Sequence, residues 1–189
     1  MNSTDRLRAL LSQPGMLIAP GAYDAIGARL IAQAGFPAVY MTGAGVCAAR
    51  GYPDFGLLTM TEMADSAGLM ARAVDVPLIA DADTGYGNEL NVTRTVREYQ
   101  SRGVAAIHIE DQVAPKRCGH LEGKAVVSSG EFASKIAAAV EARGPRGMVI
   151  IARTDARAVN GLEDAMRRAS AALEGGSGYG VRGGGSEPR

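Results

Sequence analysis

The sequence predicts an α/β protein in which about five strand-helix units follow one another along the chain. Short apolar runs alternate with segments whose apolar residues recur at helical spacing. Ionisable residues and glycines cluster where those runs end, whereas the sequence at their starts is bland. With 189 residues, 47% of them hydrophobic, the chain is long enough to bury the core of one such domain.

Five apolar runs have the length and the flanking turn residues of β-strands. They cover residues 16–19, 38–41, 77–80, 105–109 and 148–152. The first run follows a short amphipathic helix pattern with Leu7, Leu10 and Leu11 on one side. Helical patterns separate the later runs, so the sequence predicts strands that alternate with helices.

The helices between the strands have recognisable starts and ends. Two starts have the spacing of a capping box, in which each of two side chains bonds a free backbone N–H: Thr59 with Glu62 and Ser128 with Glu131. Gly103 and Gly144 lie where two helices are expected to stop.

Repeated strand-helix units with right-handed crossovers form a parallel sheet, which either stays open or closes into a barrel. Polar residues at the strand ends favour a (β/α)₈ barrel, because active sites gather at the C-terminal ends of its strands. An open α/β sheet also binds ligands at that edge and stays an alternative.

Composition limits the classes of partner. The 20 basic residues balance the 20 acidic ones, so the chain lacks the charge excess typical of nucleic-acid binding. The N-terminus has no apolar signal-peptide core, and no segment offers the roughly 18 apolar residues of a membrane span. We therefore expect a cytoplasmic protein that binds a small metabolite, with neither nucleic acid nor membrane as a partner. Cys47 and Cys118 are expected to be thiols in a reducing compartment.

Asp81 and Asp83 lie two residues apart at the end of the third predicted strand, so their side chains are expected to leave the same face. Two carboxylates on one face indicate a site for a hard cation. The alternative is a pair of solvated turn aspartates before Gly85 and Gly87, since Asp and Gly are common in turns.

The next strand repeats this arrangement. His108 and Glu110 share a face, whereas Asp111 points the other way. A single strand-end histidine is more often structural, because one or two hydrogen bonds satisfy a neutral imidazole. Polar residues on the inner face of two neighbouring strands are hard to explain as core, which favours a functional site.

The loop after that strand contains Lys116, Arg117, Cys118, Gly119 and His120. Two cations and a histidine beside a thiol favour the thiolate and are expected to lower the pKa of the cysteine, while the glycine allows a substrate to come close. The alternative for Cys118 is a structural thiol. Cys47 has small apolar neighbours in GAGVCAAR and is expected to be inert.

Two further segments could bind a substrate. Arg153 at the end of the fifth predicted strand suits a bidentate grip on a carboxylate, with a salt bridge to Asp155 or another acid as the alternative. The turn of Thr42, Gly43 and Ala44 presents backbone N–H groups that could hold an anionic oxygen, although a glycine-rich turn is a weak signal.

Several of these motifs together resemble one superfamily. KRCGHL at 116–121 resembles the isocitrate lyase signature, and DADTGYGN at 81–88 with HIEDQ at 108–112 resembles its metal-site strands. PGAYDA, MTGAG and KRCGHLEGK resemble the shorter 2-methylisocitrate lyases and carboxyvinyl-carboxyphosphonate phosphonomutases. From about residue 16 to 174 the chain thus resembles the isocitrate lyase and phosphoenolpyruvate mutase superfamily, whose fold is a (β/α)₈ barrel.

The resemblance implies a role for each site residue. A Mg²⁺ site, with Mn²⁺ as a substitute, would be formed by Asp81, Asp83, Asp54, Glu110 and His108. A small carboxylate substrate would meet Thr42, Gly43, Ala44, Gly119 and Arg153. The catalytic set would be Cys118 as general acid or base on a mobile loop, with Lys116 and His120 beside it.

The implied reaction is cleavage of a small 2-hydroxy tricarboxylate such as 2-methylisocitrate. A base removes the hydroxyl proton, the carbon–carbon bond breaks, and Cys118 protonates the carbanion of the second product, so that pyruvate and succinate result. Phosphonomutase chemistry, which forms a carbon–phosphorus bond, would use the same metal site and is the alternative enzyme activity.

After Glu174 the sequence departs from the resemblance. Residues 175–189 are rich in glycine and are expected to be disordered, which leaves residues 1–174 as a partial barrel of about five units. Superfamily members continue with further strand-helix units and commonly form homo-oligomers. We therefore expect a C-terminally truncated chain, through a frameshift near residue 174, and an inactive remnant is the non-enzyme alternative.

Overall fold

The structure is a computed structural model that describes residues 2–174 and the backbone of residues 179–182. The helices are α1 (Ser3–Leu11), α2 (Ala25–Gln33), α3 (Gly43–Ala49), α4 (Met60–Ala73), α5 (Glu89–Ser101), α6 (Ser129–Arg143), α7 (Ala156–Val159) and α8 (Leu162–Glu174). The strands are β1 (Gly21–Ala22), β2 (Val39–Met41), β3 (Leu78–Asp81), β4 (Ala106–Glu110), β5 (Val149–Thr154) and β6 (Tyr179–Arg182).

The strands form one parallel sheet whose order, β1-β2-β3-β4-β5-β6, follows the sequence. A doubly wound sheet would instead reverse its strand order at a switch point. Sequential order with helical crossovers is the wall of a (β/α)₈ barrel. The barrel-type α/β fold predicted from the positions of the polar residues is therefore confirmed, and the open doubly wound alternative is excluded.

The first strand lies elsewhere than the sequence predicts. Residues 16–19 form no strand, and pairing begins at Gly21, opposite Tyr40 of β2. Met16 and Ile18 are exposed. An apolar run shows that a segment can be buried, but the backbone partner decides where the strand forms. The other four predicted strands match β2 to β5 to within two residues at each end.

A sixth strand lies in the segment that we predicted to be disordered. Residues 179–182 pair in parallel with β5, with Ile151 opposite Tyr179 and Thr154 opposite Arg182. The prediction is therefore wrong for these four residues, and its remainder, 175–178 and 183–189, lies outside the described residues. Ladder hydrogen bonds use backbone groups, so an uncovered neighbouring strand can pair even with a glycine-rich segment.

The predicted helix boundaries are confirmed, with one difference. Thr59 and Glu62 form both halves of a capping box at the start of α4. Ser128 accepts a hydrogen bond from the Glu131 amide (3.1 Å), but the Glu131 carboxylate lies against Lys135 instead of returning to the helix start. Gly103 and Gly144 have φ values of 81° and 69° after α5 and α6, a conformation that glycine adopts without strain.

The two faces of the sheet bury different residues. The outer face packs its apolar side chains against the helices, with Met41, Ile107 and Ile150 fully buried. On the inner face a smaller apolar cluster forms around Leu7 of α1 and Val149 of β5. Further along the same inner face the side chains become ionisable.

No helix in residues 2–174 is both long and apolar enough to cross a bilayer.

Candidate active site

The inner face of three neighbouring strands brings the predicted polar residues together. Asp81 of β3 is the register partner of His108 on β4. Glu110 of β4 is in turn the partner of Arg153 on β5. Alternation along β4 puts His108 and Glu110 on one face, and parallel strands place their C-terminal ends at one edge. The barrel wall therefore assembles a polar site from segments far apart in the sequence.

Asp81 and Asp83 meet for a different reason than we predicted. β3 ends at Asp81, and Asp83 has a positive φ of 46°, so the alternation of an extended strand does not extend to it. The Asp83 amide instead donates to Asp81 Oδ1 (2.9 Å), and the Gly43 amide donates to Asp81 Oδ2 (3.2 Å). Both carboxylates are buried, so the alternative of two solvated turn aspartates is wrong.

The two carboxylates differ in their electrostatic environment. Burial and the charge of Asp81 raise the pKa of Asp83 to about 6. Burial also opposes ionisation of Asp81, but nearby positive charge at His108 and Lys116 holds its pKa below the ordinary value. Burial also lowers the pKa of His108.

His108 is held by Tyr40, a residue that the sequence analysis did not select. The Tyr40 hydroxyl lies 2.7 Å from His108 Nε2, and the two rings stack at 5.6 Å. Nε2 also lies 3.5 Å from Asp81 Oδ1. The opposite nitrogen, Nδ1, is buried and has no hydrogen-bond partner in the described part of the chain. The alternating polar position in VYM of β2 was the available signal for Tyr40.

Asp54 is connected through Lys116 to Asp81 and Asp83, which together are called the acid pair below. The Lys116 ammonium forms ion pairs with Asp54 Oδ1 and with Asp83 Oδ1, the second at 2.8 Å. The angles of the Lys116–Asp83 ion pair do not meet hydrogen-bond geometry. Asp83 Oδ1 is therefore buried without a hydrogen bond from the described residues. Lys116, predicted as a neighbour of the thiol, is in fact directed at the carboxylates.

Arg153 forms the salt bridges that were the alternative to substrate binding. Its guanidinium lies 3.2 Å from Glu110 Oε2 and 3.3 Å from Asp155 Oδ2, and it keeps 20% of its side chain exposed. Burial raises the pKa of Glu110 to about 8 despite this cation. Gln112 donates to Glu110 Oε1 (3.0 Å), which fixes the carboxyl group. Arg153 is thus positioned and only partly covered.

The predicted catalytic loop crosses Arg153. A Cβ atom added at Gly119 would lie 2.5 Å from Arg153 Nη2, so only glycine fits there without movement. Lys124 holds the loop by donating to the Gly119 carbonyl (2.6 Å) and by pairing with Asp155 (3.0 Å). The partly exposed Cys118 lies 3.8 Å from Nδ1 of His120, which is exposed. The structure brings these two side chains to each other, and their proposed catalytic roles stay a prediction.

The turn of Thr42, Gly43 and Ala44 after β2 mainly stabilises the start of α3 and the Asp81 carboxylate. Thr42 caps α3 by accepting from the Gly45 amide (3.3 Å), and the Gly43 amide is already bonded to Asp81. Ala44, half-buried in the first turn of α3, is placed beside them. Cys47 is buried on α3, where burial raises its pKa to about 11 and disfavours the thiolate.

Asp111 turns away from the site, as its position in the strand predicts. It is buried and accepts hydrogen bonds from Thr154 Oγ1 (2.6 Å) and the Asp155 amide (2.9 Å). Arg168 of α8 lies 3.2 Å from the same carboxylate. These contacts fix the end of β5, and hence Asp155 and Arg153. The sequence analysis missed this support because Arg168 is 57 residues from Asp111 along the chain.

Asp54, Asp81 and Asp83 together are called the acid group below. This group fits one divalent cation. Asp54 and Asp83 share the ammonium of Lys116, and Asp81 lies 3.5 Å from His108 Nε2, whereas Arg153 contacts Glu110 and Lys124 contacts Asp155. Asp83 Oδ1 is buried and lies 2.8 Å from the Lys116 ammonium, so a divalent cation at this oxygen would have to share it with that ammonium or displace it. Among the described residues, no group of three or more His, Cys, Asp or Glu side chains is arranged to hold a metal ion. Mg²⁺ needs none, because it keeps several waters and takes one or two carboxylates.

A cavity of about 500 Å³ lies beside this group. Asp83 and Lys116 form its inner wall, and Thr59, Asn91 and Arg94 line it towards α4 and α5. Polar side chains and two cationic residues, Arg94 and Lys116, in a space of this size suit a small carboxylate more than a large apolar ligand.

Comparison with known proteins identifies the family of the chain. The family model described as phosphoenolpyruvate phosphomutase matches residues 7–181. A 2,3-dimethylmalate lyase from Eubacterium barkeri is 52% identical over 178 residues, which are 94% of this chain and 62% of that protein. A 2-methylisocitrate lyase from Aeropyrum pernix is 48% identical over 171 residues, which are 90% of this chain and 55% of that protein.

A solved structure agrees with these relatives. Phosphonopyruvate hydrolase, determined with oxalate and Mg²⁺, superposes with a TM-score of 0.89 at 35% identity, over 96% of this chain and 63% of that one. The chain thus spans about three fifths of the length of the proteins it matches. Since the family match covers nearly all described residues, the chain belongs to the phosphoenolpyruvate phosphomutase family, within the superfamily that its motifs resemble.

Proposed function

We propose that the site cleaves a carbon–carbon bond in a small 2-hydroxy carboxylate and releases pyruvate, with Mg²⁺ or Mn²⁺ bound at the acid pair. The leading substrate is 2-methylisocitrate, which would give pyruvate and succinate. The relative most similar in sequence among those described above is named for 2,3-dimethylmalate. Both compounds carry a hydroxyl, a methyl and a carboxylate on the carbon that becomes pyruvate.

The observation that supports this proposal most is the convergence at one strand edge. Asp81, Asp83, His108, Glu110 and Arg153 are brought together there, with the Cys118 loop crossing above. A cation at the acid pair would hold the hydroxyl and carboxylate oxygens of the hydroxyl-bearing carbon and favour loss of the hydroxyl proton. Arg153 would hold a carboxylate through its exposed edge.

Side chains of this protein would carry out the proton transfers of the reaction. The substrate hydroxyl loses its proton to a base, the electron pair of the broken bond stays on the second product, and that carbanion takes up one proton. We assign this last proton transfer to Cys118, with His120 beside it, and give Lys116 of the same loop a catalytic role from its position at the carboxylates. Closure of the loop over Arg153 would keep water from the carbanion. We place this chemistry in the cytoplasm, where a soluble carboxylate is accessible.

The test is release of pyruvate from each substrate, followed with lactate dehydrogenase and NADH, with Mg²⁺ and with a chelator. We expect turnover only with the metal, and a loss of at least about a hundredfold for Cys118→Ala, in line with removal of a proton-transfer group. Cys47→Ala is the matched thiol control and should retain activity.

Other outcomes would point elsewhere. Pyruvate release from neither substrate, with metal binding intact, would contradict the lyase proposal and favour the phosphonomutase reaction, tested with a carboxyphosphonate substrate. Failure of both reactions would support the inactive form of the chain. Activity that persists in the chelator would contradict the role given to the metal.

A further inference from the structure

Lys116 occupies a cation position inside the acid group. Its side chain is 5% exposed, and its ammonium pairs with Asp54 and, at 2.8 Å, with Asp83. Burial alone would lower the pKa of Lys116, but the charges of Asp83 and Asp81 outweigh it and raise the pKa well above its ordinary value. Through these two ion pairs the ammonium places a positive charge inside the acid group.

Lys116 belongs to the same loop as Cys118. Two other residues fix this loop at positions that do not contact Asp81 or Asp83. Gln112 accepts a hydrogen bond from the Arg117 amide (3.0 Å) and donates one to the Arg117 carbonyl (2.8 Å). Lys124 donates a hydrogen bond to the Gly119 carbonyl. The ion pairs of Lys116 are what connect the loop to Asp83. These ion pairs therefore tether the loop to Asp83 two residues before Cys118.

A divalent cation at Asp81 and Asp83 would share a carboxylate with this ammonium. Two cations at one carboxylate repel each other, most strongly where burial excludes water. Asp54 offers the ammonium a second partner that lies outside the acid pair and is partly exposed. The ammonium can therefore leave Asp83 and stay paired.

We propose that Lys116 is a built-in counterion of the metal-free site, which an incoming divalent cation displaces from Asp83. The inference rests on the proposed function only for the position of the cation at the acid pair. Because coupling between two binding events is reciprocal, the position of the Lys116 loop and the affinity for the cation must then influence each other.

The first test measures the affinity for Mn²⁺, from the electron paramagnetic resonance signal of the free ion. Lys116→Met removes the charge and keeps a side chain of similar length. We expect its Kd for Mn²⁺ to be about tenfold lower than that of the unmodified protein, within the usual range for coupled sites. Lys135→Met is the control, since Lys135 is a buried lysine on α6 that pairs with Glu131 away from the site, and its Kd should not change.

The second test uses the unmodified protein, so that it does not depend on the folding of a variant. Alkylation of Cys118 by iodoacetamide, followed by mass spectrometry of its peptide, should become severalfold faster when Mn²⁺ is added. In Lys116→Met the rate should be fast already and independent of Mn²⁺. Cys47 is buried and gives a separate peptide as an internal reference.

The inference and the proposed function fail in different ways. An unchanged or higher Kd for Lys116→Met, or a Cys118 rate that does not respond to Mn²⁺, overturns the counterion role whether or not pyruvate is released. Absence of Mn²⁺ binding in both proteins also overturns it. Tighter Mn²⁺ binding in the variant supports it even if neither substrate is cleaved.

Discussion

At the scale of single residues, Glu110 shows how burial outweighs a neighbouring charge. The Arg153 guanidinium lies 3.2 Å from its carboxylate, yet burial raises the pKa of Glu110 from 4.5 to about 8. The folded metal-free protein therefore binds a proton that the unfolded chain has lost between these two values. Stability is linked to pH through this difference in bound protons.

The sign of the linkage gives a prediction. In a chelator, the free energy of unfolding should fall as pH rises from about 4.5 to about 8, because ionised Glu110 is disfavoured only in the folded state. Glu110→Gln mimics the protonated form. Relative to this variant, the unmodified protein should lose about 2–4 kcal/mol across that window. Urea unfolding at each pH measures the difference, and parallel curves for the two proteins would contradict the prediction.

Residue patterns alone located much of the site. Asp81, His108, Glu110 and Arg153 are found where strand alternation places them. Asp83 is present as well, but through a left-handed turn that alternation cannot describe. The partners that hold these groups, such as Tyr40, come from other strands, and no local pattern in the sequence records which side chains will meet.

At the scale of elements, α3 begins directly against the end of β3. A Cβ atom at Gly43 would lie 2.5 Å from Asp81 Oδ2 and 2.9 Å from Asp81 Cγ. The same glycine donates its amide to that carboxylate. The close approach of the helix start to the strand end is thus a requirement for placing Asp81.

A pair of glycine variants tests this requirement. Gly43→Ala should destabilise the fold by about 1–3 kcal/mol, because the buried Asp81 carboxylate has little room to move, and it should weaken Mn²⁺ binding. Gly130→Ala is the control, since Gly130 is also helical and its Cβ would meet nothing within 4 Å. That change should be neutral or stabilise α6 by up to about 1 kcal/mol. Equal unfolding free energies for the two variants would show that contact with Asp81 is unimportant.

At the scale of the whole molecule, the described sheet has two edges, β1 and β6. Exposed apolar side chains border the β1 edge: Met16 is 87% exposed before the strand, and Ile26 and Leu30 are 71% and 60% exposed on α2. An unpaired edge beside an apolar surface is a site for association with another chain.

We therefore expect the 189-residue chain to self-associate. Size-exclusion chromatography with light scattering should give a mass above the 19.5 kDa of one chain. The double change Ile26→Lys and Leu30→Lys places charges beside the edge and should shift the protein towards the monomer. Leu90→Lys on α5 is the control, because Leu90 is 78% exposed but lies away from β1. A monodisperse, cooperatively melting monomer of the unmodified chain would contradict the expectation.

The sequence by itself determined the alternation of strands and helices, the caps of α4 and α6, and the strand ends that carry the polar residues. These features depend on local periodicity and on hydrogen bonds within a few residues. Only the tertiary structure decided where β1 begins, that residues 179–182 pair with β5, and that Lys116 faces Asp83 instead of Cys118. Each of these outcomes depends on a backbone partner or an opposite charge supplied by a distant segment, which no local pattern specifies.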